Sequence, residues 1–311
     1  MPDSAKLNYG VGVLAWIATV LIGASWQLAT RFGVTTALTP IDLALLRYVI
    51  PAIALSPVLM RKGVLPATAP IWSLVLIVVG GGLPFGLLGM AGAQFAPVSH
   101  MGALLPGSMP VFVALLSVTV LGERFSKGSV ISLGIIVLGT ACVVGSALSN
   151  SSGGPNVLFG DALFLSAGAL WAVYTVAFRQ SGLDPWHGAA LICFWSAVLI
   201  TPLWMTLPYT RLLGAAAPDI ALQIAAQGVL AGLLGLAAYG AAIQHLGASV
   251  AAVSGAVVPA LTVLGGFVLL GEPLSMLTGV GVLLVAVGIW AFASAPGSTR
   301  TLKGPNTEAQ G

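Results

Sequence analysis

The chain has 311 residues, of which 58% are hydrophobic and only 6% charged, against roughly a quarter charged in an ordinary soluble domain. So few charges cannot clothe the water-facing surface of a soluble protein of this length. The net charge of +3 and the pI near 9.1 come from basic residues spread thinly over short loops, which excludes the clustered footprint of a nucleic-acid partner.

Apolar runs of about twenty residues follow one another, each long enough to cross a hydrocarbon core of about 30 Å as a helix. They predict spans near 11–33, 41–60, 70–92, 97–121, 127–147, 159–180, 186–207, 218–242, 248–271 and 274–295. The runs are continuously apolar rather than alternating, which argues against a strand-built barrel. The first is too long for a signal peptide and meets Arg31 where a small-residue cleavage site would stand, so it is retained as a helix. The expectation is an all-α membrane protein with ten transmembrane helices, its environment a lipid bilayer.

On the first span Thr19, Gly23, Trp26, Gln27 and Thr30 share one face by the i, i+3, i+4 rule. Rings mixed with polar tips suit a cavity wall or an interhelical contact better than lipid. The second span holds Arg47, the one fully charged side chain well inside a span. It either snorkels to the nearer helix end as an anchor or lines a path through the bundle. The third carries Gly-Gly-Gly-Leu-Pro-Phe-Gly at 80–86. There Pro84 removes a helical hydrogen bond and frees a carbonyl for a neighbour or solute, and Gln94 follows as a possible ligand.

His100 opens the fourth span, where it reads as an interfacial, solvated histidine or a titratable group lining the path, and Pro110 lies within the span as a hinge. On the sixth, Trp171, Tyr174, Thr175 and Phe178 share a face, again mixing rings and polar tips. The eighth has a second glycine-rich stretch at 232–240, with Tyr239 and then Gln244 as candidate ligands. Pro259 lies within the ninth as a hinge, as Pro84 does in the third. Trp72, Trp186, Trp204 and Trp290 fall near span ends and read as an interfacial belt, whereas Trp195 falls deeper.

The stretch from Pro110 to Ser126 returns 149 residues later, from Pro259 to Ser275, with proline, leucine, leucine, glycine, glutamate and serine in the same places. Gln94 matches Gln244, Gly139 matches Gly288, and Gly-Ala-Ser-Trp at 23–26 resembles Gly-Ala-Leu-Trp at 168–171. The chain therefore divides into a five-helix repeat over 1–148, a polar linker at 149–158, a second five-helix repeat over 159–295 and a tail at 296–311. Because five is odd, the second repeat must run inverted through the membrane, with Glu123 and Glu272 on opposite sides. The bland role for these two Leu-Gly-Glu turns is to end one helix at glycine and start the next at Ser126 or Ser275, with the glutamate near the positive helix end; the other is gating.

Lys6, Arg61, Lys62, Arg124, Lys127, Arg179, Arg300 and Lys303 collect on one side, against Arg31 and Arg211 on the other, which places both termini in the cytoplasm. An inverted repeat makes inward-open and outward-open states nearly equal in energy around a midplane site, which is the requirement of a transporter.

These motifs together resemble the drug/metabolite transporter superfamily, in its ten-helix EamA-type branch with duplicated domains, over roughly 10–295. The resemblance is carried by the two Leu-Gly-Glu turns, by PIDLALLRYVIPAIAL in the second span and ALWAVYTVAFR in the sixth, and by Pro110 and Pro259. The first span departs from the family's frequent Trp-Gly, since Gln27 follows Trp26; this alters close packing or adds a polar group to the cavity. Within the superfamily the chain looks most similar to YddG-type bacterial amino-acid exporters. The resemblance implies export across the inner membrane, by alternating access, of small neutral or zwitterionic metabolites, amino acids including aromatic ones among them. A drug or nucleotide-sugar carrier is the rival within transport, although the phosphates of nucleotide sugars want cavity cations and only Arg47 is available.

A membrane-embedded enzyme or a passive channel is the rival from another class. An enzyme needs a nucleophile with a base, or a metal cluster, within reach. No such catalytic set, no zinc pattern and no cofactor motif stands out, and Cys142 and Cys193 both fall inside spans. All eight acids, Asp42, Asp161, Asp184 and Asp219 among them, fall in tails or near helix ends. That leaves no visible proton relay or sodium cage, and the expectation is facilitated movement without an obligatory ion. Oligomeric state is not legible.

Overall fold

The structure, a computed structural model, describes residues 2–65, 69–149, 154–246 and 254–295, and among these every regular element is helical. Helix α1 (Pro2–Thr36) is followed by α2 (Pro40–Ala54), which starts at a capping box. The Thr39 hydroxyl accepts the Asp42 N–H at 3.3 Å and the Asp42 carboxylate accepts the Thr39 N–H at 2.9 Å. The chain then bends by 57° into α3 (Ser56–Lys62). Pro57 has no N–H to offer the Ile53 carbonyl, and the Ser56 hydroxyl donates to that oxygen instead, at 2.8 Å.

Helices α4 (Ile71–Gly81) and α5 (Leu83–Phe95) form one membrane-length segment broken at Gly82. The Tyr48 hydroxyl donates to the Gly82 carbonyl at 2.6 Å, and Ser196 Oγ accepts the Leu83 N–H at 3.0 Å. Side chains thus hold backbone groups that lipid would leave unsatisfied. The Gly82 carbonyl also accepts the Gly86 N–H at 3.0 Å, so it is not the carbonyl that Pro84 frees, which lies four residues before the proline at Gly80.

Next come α6 (Val98–Leu121), α7 (Lys127–Ser149), α8 (Gly154–Ser181) and α9 (Pro185–Thr206). Helix α10 (Ala217–Gln223) runs through a π-helical stretch, Ile224–Leu234, into α11 (Gly235–Leu246); α12 (Ser254–Leu270) and α13 (Met276–Ser294) complete the bundle. Both Leu-Gly-Glu turns close their helices with a left-handed glycine, Gly122 at φ +66° and Gly271 at φ +65°, where a side chain would strain the backbone. Ser126 and Ser275 then accept the N–H groups of Ser129 and Thr278, at 3.2 and 3.0 Å, and so start α7 and α13.

Among the described residues eight helical segments are long and apolar enough to cross a membrane, nine if the bent α2–α3 pair counts as one. That is fewer than the ten predicted. The ninth predicted span, 248–271, shows 17 helical residues in α12, and its first residues lie outside those described. The sixth helix starts at Gly154, earlier than 159, so helix takes up part of the predicted linker.

Helix α1 packs against α11 and α12, and α8, its counterpart in the sequence repeat, packs against α4, α5 and α6. Helix α2 lies against α9 and the π-helical stretch. Helices α7 and α13 touch backbone to backbone: a Cβ on Gly139 would lie 2.7 Å from the Gly281 carbonyl, and one on Gly281 would lie 2.7 Å from the Gly139 carbonyl. Small residues permit this approach where lipid offers no hydrophobic drive to associate. Leu115, Val118, Leu283 and Val287 are exposed on the outside of the bundle, as are the belt residues Trp72, Trp186 and Trp290. Such an apolar exterior suits hydrocarbon.

Candidate functional site

Four of the predicted rings, Trp26, Trp171, Tyr174 and Phe178, come together in one row. Trp26 of α1 stacks on Phe85 of α5 with centroids 6.3 Å apart, Phe85 meets Trp171 of α8 at 4.8 Å, and the row continues to Tyr174 at 4.9 Å and Phe178 at 5.6 Å. The glycines of the third span make this possible. A Cβ on Gly80 would come within 2.5 Å of the Leu170 carbonyl and the Tyr174 N–H nitrogen, so only a glycine lets α8 approach α4 here. Arg47 of α2 turns toward this row. Its guanidinium carbon lies 4.6 Å over the Trp26 ring and 5.9 Å from Tyr48, and its Nη1 is buried with no hydrogen-bond partner.

Behind Trp26 stands an amide network that the sequence reading missed. The Trp26 indole N–H donates to Gln227 Oε1 at 2.9 Å. Gln227 donates to Thr30 Oγ1 at 2.9 Å and to Gln223 Oε1 at 3.3 Å, and Gln223 donates to the Ala29 carbonyl at 2.7 Å. Gln223, Gln227 and Thr30 are all buried. The signal was present in the sequence: two glutamines four apart in an otherwise apolar span share a helix face. Gln27 turns the other way. Its Oε1 and Thr262 Oγ1 of α12 are both buried without a partner, and a Cβ on Gly102 of α6 would meet Gln27 Oε1 at 3.5 Å and the Thr262 Cβ and Cγ2 at 3.0 Å.

The two ends of the bundle are tied by charge. At the N-terminus of α6, Glu272 pairs with Arg31 at 2.6 Å and accepts the Val98 N–H at 2.7 Å, while Arg31 donates to the Ala93 carbonyl at 2.6 Å. Glu272 therefore serves the start of α6, across the bundle, rather than the start of α13 that follows it. Glu123 comes just after the opposite end of α6. At the end where α3 finishes, Lys62 pairs with Asp184, the Asp184 carboxylate also accepts the Trp186 N–H, and His187 Nε2 bonds the Gly63 carbonyl at 2.9 Å. Partial burial works against the Asp184 charge, but the hydrogen bonds from Lys62 and from Trp186 outweigh it and hold the carboxyl below its ordinary value of 3.8. A cavity of about 290 Å³ lined by Arg61, Lys62, Asp184 and Trp186 opens here, away from the aromatic row.

The same family model matches the chain twice, over residues 10–145 and 158–294. The chain belongs to the EamA-like transporter family. No curated protein matches it. A solved structure, described only as the crystal structure of a protein, is 19% identical with a TM-score of 0.60, over 90% of this chain and 95% of that one; at that identity the likeness shows the fold alone.

In this EamA-like transporter several sequence expectations need correction. Gln94 is exposed near the C-terminus of α5, on the face away from the aromatic row, and holds no place in the interior. Trp195 donates to the Val64 carbonyl at 3.1 Å, toward the Lys62 end, and Trp204 of the predicted belt instead donates to the buried Asp42 carboxylate at 2.8 Å. His100 is not solvated. It is 4% exposed and its Nδ1 lies 2.8 Å from Asp161 Oδ1, itself 1% exposed, so one of the acids near helix ends is fully enclosed. Pro110 lies within α6 and Pro259 within α12, while Pro84 stands just after the Gly82 break. The side chains of Tyr239 and Gln244 lie outside the described residues.

Proposed function

We propose that this membrane transporter exports small neutral or zwitterionic metabolites, amino acids including aromatic ones, across the inner membrane. Two inverted five-helix repeats, 1–148 and 159–295 joined by 149–158, exchange inward-open and outward-open states, with both termini and the 296–311 tail in the cytoplasm. In that orientation the Arg31–Glu272 end faces outward and the Lys62–Asp184 end inward.

The observation that carries the substrate class is Arg47. Nη1 of this guanidinium is buried without a hydrogen-bond partner, the ring of Trp26 lies beneath it, and no carboxylate forms an ion pair with it among the described residues. A buried cation with an open donor favours an anionic group on the solute. The carboxylate of an amino acid supplies that group, and the row from Trp26 to Phe178 supplies faces for an aromatic side chain, with stacking worth about 0.5–1.5 kcal/mol beyond burial.

The deciding experiment is a counterflow panel in proteoliposomes, with amino acids of graded size, their decarboxylated amines and unrelated drugs. Saturable exchange of amino acids, lost in the amines, is expected. Exchange of the amines or drugs in preference to amino acids would discard this substrate class. Alanine at Trp26, Trp171 or Tyr174 should shift selectivity between large and small amino acids while the protein stays folded in detergent.

A further inference from the structure

Helices α1, α6 and α12 pack against one another, and the contact between α1 and α12 rises in the same direction on both. A Cβ on Gly23 would meet Val258 Cγ2 at 3.2 Å, and a Cβ on Gly265 would meet Leu28 Cδ1 at 2.5 Å. Between these levels stand Gln27 and Thr262, on either side of Gly102 of α6. One turn beyond Gln27 on α1 is Arg31. One turn beyond Thr262 on α12 is Gly266, where a Cβ would stand 3.8 Å from Glu272 Oε2. The seam therefore ends at the Arg31–Glu272 pair.

Gln27 is 3% exposed and Thr262 is fully enclosed, yet Gln27 Oε1 and Thr262 Oγ1 have no hydrogen-bond partner. Burying a polar atom in that state costs stability, so it calls for a reason. Other threonines in these helices avoid the cost. The hydroxyls of Thr140, Thr175 and Thr201 each donate to the carbonyl four residues before them, whereas the Thr262 hydroxyl makes no such bond. The amides of Gln223 and Gln227 are likewise bonded, to the Ala29 carbonyl and to Thr30. Gly102, between the two idle oxygens, has no side chain to offer either.

This level borders the aromatic row. Trp26, Met101 and Ala103 share one buried cluster with Phe85, and Val263 packs against that cluster. These four are the chain neighbours of Gln27, Gly102 and Thr262, which places the idle oxygens between the Trp26 site and the Arg31–Glu272 end.

We propose that Gln27 and Thr262 form a second solute subsite, one that takes the ammonium group of an amino acid on its way between the Arg47–Trp26 site and the Arg31–Glu272 end. The ligand assignment rests on the substrate reading above. An amide oxygen only accepts hydrogen bonds and a hydroxyl oxygen accepts as well as donates, so together they suit a group with several hydrogens to give, and an ammonium has three. Both groups are neutral, and the nearest carboxylate, Glu272, is already balanced by Arg31. The subsite therefore orders the ammonium of a zwitterion, whose own carboxylate balances it, and offers no counter-charge to a free amine.

A solute subsite and a mere packing defect respond differently to the same apolar substitution. Thr262→Val keeps the shape of the side chain and removes one unsatisfied oxygen, and Gln27→Leu removes the other. Both variants, and the pair combined, should unfold in detergent at the parent's temperature or above it. Recognition should fall all the same. In counterflow with the membrane potential clamped, the parent should prefer a free amino acid to its N-acetyl derivative, and the double variant should lower that preference about tenfold, as for the loss of a hydrogen bond to a charged group. An unchanged preference would make the level packing alone and overturn the subsite. So would a Thr262→Val protein less stable than the parent, because the fold would then be using the hydroxyl. A rise in the parent's unfolding temperature with sodium chloride but not choline chloride, lost in the double variant, would give the oxygens to an inorganic cation and also overturn it. If Gln27→Leu does not fold, Thr262→Val alone must lower the preference. A parent that exchanges no amino acid would instead remove the substrate reading, and the ammonium assignment with it.

Discussion

The guanidinium carbon of Arg47 lies over the indole of Trp26, 4.6 Å from the ring centroid, and the indole N–H on the same ring is held by Gln227 at 2.9 Å. The ring is thus fixed at its edge and loaded on its face. Arg47→Lys keeps the charge but loses the planar fork. A charged hydrogen bond is worth about 1.5–3 kcal/mol, so Arg47→Ala should weaken amino-acid binding roughly tenfold to a hundredfold, and Arg47→Lys by a good part of that. Equilibrium binding of labelled amino acid to purified protein checks it; unchanged affinity would remove Arg47 from the site.

Gln227→Leu keeps volume but leaves the Trp26 N–H and Thr30 without their partner. An unsatisfied buried donor costs about 1–3 kcal/mol. Lower thermal stability in detergent is expected, together with altered selectivity for aromatic over aliphatic amino acids, because the ring loses its tether. A variant as stable as the parent would show that the amide network does not hold the ring.

Glu272 ties α1, the α12–α13 turn and the start of α6 together. Glu272→Gln should loosen that end by on the order of 1 kcal/mol, about fivefold in the open population. A cysteine placed at Met101, fully buried in the parent, should then react faster with a membrane-impermeant maleimide added from that side. Equal rates would mean that the tie does not control access.

The α7–α13 contact distinguishes two glycines of one helix. A Cβ on Gly139 meets the Gly281 carbonyl at 2.7 Å and the Val285 nitrogen at 2.8 Å, whereas one on Gly134 meets nothing within 4 Å. Overpacking costs about 1–3 kcal/mol, and alanine in an open helical position gains about 0.5–1 kcal/mol over glycine. Gly139→Ala should therefore lower the unfolding temperature and Gly134→Ala leave it level or raise it.

At the other end, Asp184 carries a lowered value in the folded protein because Lys62 and the Trp186 N–H hold its charge. Its contribution is complete above its ordinary value of 3.8 and is lost as pH falls through the lower folded value. Both side chains are well exposed, so the contribution is below about 1 kcal/mol. Thermal unfolding of Lys62→Met and parent protein should differ slightly at neutral pH and converge only in strong acid; convergence already near neutral pH would contradict the assignment.

How much of this was legible in the sequence depended on range. Helix positions follow from hydropathy and glycine stops from Leu-Gly-Glu, both local properties, and the described residues hold helix within the predicted spans, eight or nine segments of it long and apolar enough to cross a membrane. The shared face of Trp171 and Tyr174 is also local, being an i, i+3 relation on one helix. Phe85, which joins those rings to Trp26, and Gln227, which holds Trp26 from 201 residues away, depend on which helices become neighbours. The same holds for His100 and Asp161, 61 residues apart, each unremarkable at its own helix start. Gln94 shows the converse. An amide near a helix end carries no local information on whether it turns inward or outward, and here it turns outward.

The glycine seam also bears on the order in which the chain is made. Helix α7 leaves the ribosome well before α13, the last helix described, so the surface around Gly139 must wait in the membrane with its backbone uncovered while α8 to α12 are inserted. During that interval another nascent chain's α7 offers the same small-residue surface, and pairing between the two would be a wrong partnership at the right residues. Completion of the last helix is then the step that ends this competition, and truncation before Met276 should yield a chain that inserts but associates with itself.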